Sequence, residues 1–123
     1  MNGLRRRRLL SLAAASTGMA MLGAAIAQTA ASPRVIPVTA HRFEFVPSEI
    51  SLKAGEPVVV EVTSLDFVHG MNIPDLKQRF DLVPGRVTRI ALTPQAPGVI
   101  DFVCDNFCGD GHEDMHGRFV VHA

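Results

Sequence analysis

Residues 104–115 read CDNFCGDGHEDM, and they place two thiols, an imidazole and a thioether at positions 104, 108, 112 and 115; the chain of 123 residues has no other cysteine. A disulfide between Cys104 and Cys108 would close only a tiny loop and restrict the unfolded chain little. It would also leave His112 and Met115 without a purpose. Zinc takes thiolates and imidazoles, but a thioether is a soft donor that suits copper. A mononuclear blue-copper site uses one thiolate, two imidazoles and usually a thioether. The second thiol here opens a further reading, in which two bridging sulfurs hold two copper ions and each ion takes one imidazole. That arrangement needs a second histidine from upstream, and SLDFVHGMNIP (64–74) offers His69. One copper and two copper remain the competing readings of these residues taken alone.

Two stretches, FEFVPSEISLKAGEPVVVEVTSLDFVHGMNIP (43–74) and CDNFCGDGHEDMHG (104–117), together contain D-x-x-H-G followed by C-x-x-x-C-G-x-G-H-x-x-M. With them the chain resembles the CuA domain of cytochrome c oxidase subunit II and, more distantly, that of nitrous oxide reductase. The resemblance implies an all-β, cupredoxin-like Greek-key β-sandwich carrying a dinuclear copper electron-transfer centre. By the same resemblance Cys104 and Cys108 are the bridging thiolates and His69 and His112 the terminal imidazoles. Met115 is then the weak axial ligand of one copper, and the backbone carbonyl of Asn106 that of the other. Family members often carry Glu at position 106, where its carboxylate also reaches a magnesium ion; Asn106 keeps the carbonyl and loses the charge. The chain further departs from the family in having no Trp and no Tyr. At the usual aromatic electron-entry point only RFEF (42–45) stands, so either electrons enter another way, such as by the exposed edge of His112, or the donor differs from the usual one.

Moving outward, residues 35–123 alternate short apolar runs with Pro and Gly breakers, which is the pattern of a β-sandwich. The expected strands are VIPVTAHRFEFV, EISL, PVVVEVTS, GMNIP, RVTRIAL, GVIDFVC and GRFVVHA. Consecutive valines in PVVVEV predict a central strand buried on both faces. DLKQRF (75–80) fits either a helical turn or a loop. No repeat or second domain is evident.

The start, MNGLRRRRLLSLAAASTGMAMLGAAIAQ, has a basic block at Arg5–Arg8, an apolar run and a small-x-small site at Ala25–Ala27. This is the layout of an export signal over residues 1–27, cleaved after Ala27, with residues 28–123 as the mature domain. The arginines followed by Leu9 and Leu10 also resemble a twin-arginine signal, and an uncleaved anchor over residues 9–27 is the rival reading. Without residues 1–27 the chain keeps eight Lys and Arg against twelve Asp and Glu, a formal net charge of −4. No basic patch is left for nucleic acid.

Asp101, Asp105, Asp110, Glu113 and Asp114 lie near the cluster in sequence, and read either as an acidic rim facing a basic redox partner or as a solvated loop. His116 follows Met115 directly and should point the other way along a strand; His41 and His122 read as surface residues. Most phenylalanines read as packing. The functional expectation is an exported, periplasmic carrier that passes single electrons to or from a c-type cytochrome or a terminal oxidase, with no catalytic site of its own. Membrane contact follows only if the N-terminal segment is retained. A copper-delivery protein is the alternative, and a subunit of an oxidase complex a third.

Overall fold

Alternating apolar and polar side chains build the described residues, 32–123 of the computed structural model, into nine strands. They are β1 (Arg34–His41), β2 (Glu44–Val46), β3 (Glu49–Lys53), β4 (Val58–Ser64), β5 (His69–Ile73), β6 (Gln78–Leu82), β7 (Val87–Leu92), β8 (Gly98–Val103) and β9 (His116–His122). Short 3-10 turns at Pro74–Leu76 and His112–Asp114 complete the order. The expected export signal and its cleavage point lie outside the described residues. Among these residues no helix is long and apolar enough to cross a membrane.

Two sheets, ordered β2-β1-β4-β7 and β3-β9-β8-β5-β6, form the expected Greek-key sandwich. Two of the pairings are parallel. β1 runs beside β4 from Arg34↔Val58 to Ala40↔Ser64, and β3 beside β9 from Glu49↔Arg118 to Lys53↔His122. Each needs a long crossover rather than a hairpin.

Val58, Val60 and Val62 of β4 face the core, as do Met71 and Ile73 of β5 and Phe119 and Val121 of β9. Burying each such side chain contributes about 1.5–3 kcal/mol. The centre is aromatic: Phe102 meets Phe45 edge-on at 5.1 Å between ring centroids and Phe119 at 4.9 Å. Offset and edge-on pairs of this kind add to the area term.

Three expectations change. β4 is central, between β1 and β7, but it is buried on one face only, with Val59, Glu61 and Thr63 half-buried on the other. No layer of the described chain covers that outer face. VIPVTAHRFEFV is two strands, because the chain reverses at Arg42–Phe43 and Thr39–His41 pair antiparallel with Glu44–Val46. DLKQRF is part helical turn and part strand: Asp75 and Leu76 lie in the 3-10 turn that Pro74 starts, and from Gln78 the chain continues as β6 against β5.

Gly117 sits opposite Phe102 in the β8–β9 ladder, and a Cβ there would run into the Phe102 ring and the Ser48 carbonyl. Gly117→Ala is therefore expected to destabilise the protein by overpacking, by about 1–3 kcal/mol, and Phe102→Ala by leaving a cavity, at about 3–5 kcal/mol. Urea unfolding of both variants checks the order of the two effects.

Candidate metal centre

His69 opens β5 and is fully buried. Its Nε2 lies 2.8 Å from Asp66 Oδ1, and its Nδ1 faces Cys104 Sγ at 3.9 Å. Asp66 itself accepts backbone N–H bonds from Arg42 at 2.8 Å and from Phe67 at 2.8 Å. Burial pushes the Asp66 carboxyl up, but the Arg42 amide, the His69 ring and the Phe67 amide outweigh it and hold the pKa at about 2. The ionised carboxylate accepts a hydrogen bond from Nε2–H, which fixes the tautomer and leaves the Nδ1 lone pair turned toward the sulfur.

Cys104 follows β8. Its amide donates to the Met115 carbonyl at 2.9 Å, so the two ends of the ligand loop are tied together. Its Sγ lies 3.3 Å from the Asn106 carbonyl oxygen. That carbonyl is aimed by the Asn106 side chain, whose amide donates to the Val68 carbonyl at 2.6 Å. A Glu at this position has no proton to give there at neutral pH. On the preceding residue, Asp105 is paired with Arg79 at 2.5 Å.

Cys108 faces His112 Nδ1 at 3.6 Å and Met115 Sδ at 3.9 Å. The turn that brings them together is closed by bonds from the His112 amide to Gly109 O at 3.1 Å and from the Met115 amide to His112 O at 3.1 Å. Gly109, at φ +136°, and Gly111 lie against the ring of Phe43, where a Cβ at either position would overlap it.

The six expected site residues thus come together. Both cysteines are buried and unbridged, and ligand atoms of His69, Cys104 and Cys108 all lie within 4.8 Å of one another. One imidazole stands beside each sulfur, with a carbonyl oxygen added on the Cys104 side and a thioether on the Cys108 side. This soft donor set fits a thiophilic metal such as copper and does not fit magnesium or calcium, which take oxygen ligands.

The other histidines stay away from it. His41 pairs with Glu44 at 3.2 Å, while His116 and His122 are exposed on β9. His116 lines a separate cleft of about 240 Å³ with Glu49, Asp101 and Arg118. Of the acidic rim, Asp110, Glu113 and Asp114 are exposed on the ligand loop. Asp101 is not part of that loop, since it lies in β8 opposite Arg118.

The phenylalanines divide. Phe45, Phe102 and Phe119 are core, but Phe43, Phe67 and Phe107 are exposed at 37%, 39% and 71%. Phe107 lies 5.8 Å from the His112 ring and Phe67 lies 6.3 Å from that of His69. Each imidazole therefore has an aromatic neighbour that reaches solvent. The motif D-x-x-H-G already contained Asp66 but gave it no role, and Arg42 was missed as a partner of the site. The Asp three residues before His69 was a usable signal; nothing in the sequence marked Arg42.

Residues 12–121 match the model of the cupredoxin-like domain family. Cytochrome c oxidase subunit 2 of Thermus thermophilus is 31% identical over 97 residues, covering 79% of this chain and 72% of that protein. A protein of the same name from a second source within that species is also 31% identical over 97 residues, and there the match spans 58% of its length. The crystal structure of the periplasmic domain of subunit II of cytochrome oxidase from Bradyrhizobium japonicum shares the fold, with a TM-score of 0.67 and 17% identity over 72% of this chain and 83% of that one.

Burial first, and then the charge of neighbouring Cys104, push the Cys108 thiol up from 9.0 to about 11 in the metal-free protein. The folded state then holds its proton longer than the unfolded chain does. Its contribution to stability is complete below pH 9 and is lost as pH rises through about 11. Reduced, metal-free protein should accordingly lose stability across that window in urea titrations, and Cys108→Ser should flatten the slope. An unchanged slope in the variant would show that this thiol is not the group responsible.

Proposed function

The chain belongs to the cupredoxin-like domain family and is homologous to cytochrome c oxidase subunit II, and from that premise we propose that it is an exported, periplasmic electron-transfer protein holding two copper ions. Cys104 and Cys108 would bridge the metals. His69 and His112 would each ligate one of them, with the Asn106 carbonyl and Met115 as weak axial ligands. The observation that carries this reading is the row of donors: an imidazole beside each of two adjacent thiols, with no carboxylate among them. Two coppers sharing one electron would supply a one-electron redox couple whose geometric change on reduction is spread over many bonds.

What the chain itself contributes is rigidity and insulation. Cys104, Cys108, Met115 and His69 are buried, so water is kept from the sulfurs. His112 is half-buried, with the exposed Phe107 beside it, which favours this edge as the place where an electron enters or leaves. A c-type cytochrome or a terminal oxidase is the partner class that the homology favours. Copper delivery, the rival reading, calls for donors that open and release their metal. Burial of four of the five side-chain donors disfavours it.

Copper analysis should give two ions per chain, stable to dialysis against a mild chelator. The spin-resonance spectrum should show one unpaired electron shared by two copper nuclei. Cys108→Ser should retain at most one copper, and Met115→Leu should shift the reduction potential while keeping the pair. Purified protein carrying one zinc, or one copper, would overturn the proposal.

A further inference from the structure

Arg42 lies in the turn between β1 and β2, in the sheet that carries none of the donors. Even so, it touches both halves of the donor row. Its backbone amide donates to Asp66 Oδ2 at 2.8 Å, and the other oxygen of Asp66 meets His69 Nε2 at 2.8 Å. Its side-chain Nε donates to the Cys108 carbonyl at 2.7 Å. The guanidinium is held in place over the Phe67 ring, 4.6 Å from the centroid, a cation–π arrangement. The next residue, Phe43, covers Gly109 and Gly111 of the ligand loop.

We infer that Arg42 is a positioning residue of the metal centre, a clasp from the opposite sheet that fixes the Cys108 peptide relative to His69. The inference rests on the copper reading above and deepens it, because the clasp sets how firmly the two ends of the donor row are held. Groups outside the ligand set that orient ligands in this way commonly change metal affinity on the order of 10- to 100-fold when removed. A fixed positive charge bonded to the Cys108 carbonyl also favours the more negative, reduced state of any metal that the thiolates hold.

Side-chain replacement separates the two bonds. Any residue except proline keeps the amide donation to Asp66, so Arg42→Ala removes the Cys108 contact, the stacking on Phe67 and the charge. Arg42→Lys retains a charge and a donor but not the planar fork. Val60→Ala, a buried substitution in β4 of the sheet that carries none of the donors, serves as the control for simple loss of stability.

Four measurements decide the matter: alkylation of the cysteines by iodoacetamide in the metal-free protein, with the rate expressed per thiolate from its pH profile, copper release to a chelator, the spin-resonance spectrum, and the reduction potential. Arg42→Ala should speed alkylation and copper release by roughly 10-fold, alter the copper hyperfine pattern and lower the potential. Arg42→Lys should restore the potential more fully than the release rate. Val60→Ala should leave the spectrum and potential at wild-type values.

If Arg42→Ala matches wild type or Val60→Ala in alkylation, release and spectrum, the clasp is refuted. Should Arg42→Ala fail to fold, Arg42→Lys decides on the same readouts. A wild-type protein without a copper pair would sink the functional reading alone, since faster alkylation of metal-free Arg42→Ala would still support the clasp and unchanged alkylation would still refute it.

Discussion

Two buried thiols and a buried imidazole held within 4.8 Å of one another form a site that resists its own charge. Burial makes the Cys108 thiol hard to ionise, and the charge of neighbouring Cys104 adds to the cost. The upward push on Cys108 expresses that conflict. A soft cation resolves it by giving both thiolates one partner and by displacing their protons. The surroundings are consistent with this requirement, because the nearest acidic group, Asp66, is turned onto the far nitrogen of His69 rather than toward the sulfurs.

Meeting that constraint takes elements that are distant in the chain. β5 supplies His69, and the loop after β8 supplies Cys104, Cys108 and His112 before the chain enters β9. The Cys104–Met115 backbone bond closes the loop at its base. Asn106 pins it to Val68, and Arg42 reaches it from the other sheet. Packing alone would leave such a loop mobile, since it has a glycine at 109 and another at 111 and few apolar side chains facing inward. Hydrogen bonds to its carbonyls and side chains, together with the Phe43 ring, do what a hydrophobic core does elsewhere in the molecule.

Much of this was legible in the sequence because the chemistry is local. The spacing of Cys104, Cys108, His112 and Met115 shows on inspection, and His69 follows from the need for a second imidazole. The strand pattern is also local, which is why the sandwich and most strand positions were foreseen. β6 was missed because DLKQRF offers neither a clean alternation nor β-branched residues, and its strand conformation comes from pairing with β5. The outward face of β4 was misread because a run of valines implies burial only if another layer exists to cover it. Phe67 and Phe107 were grouped with the core because composition cannot tell a ring that packs inward from one left at the rim of a site. Arg42 was invisible for a deeper reason: its contact with Cys108 spans most of the domain, and an arginine beside a phenylalanine has no signature of its own.

The parallel pairing of β3 with β9 bears on when this protein can acquire its structure. Glu49 finds its strand partner only at Arg118, and Ile50 only at Phe119, so one edge of the second sheet stays open until those residues have been synthesised and brought back. Loops of that length close slowly. The row of sulfurs, which lies between β8 and β9, cannot be assembled earlier than the sheet that frames it. Assembly of the donor row is thus a late event in the folding of the chain.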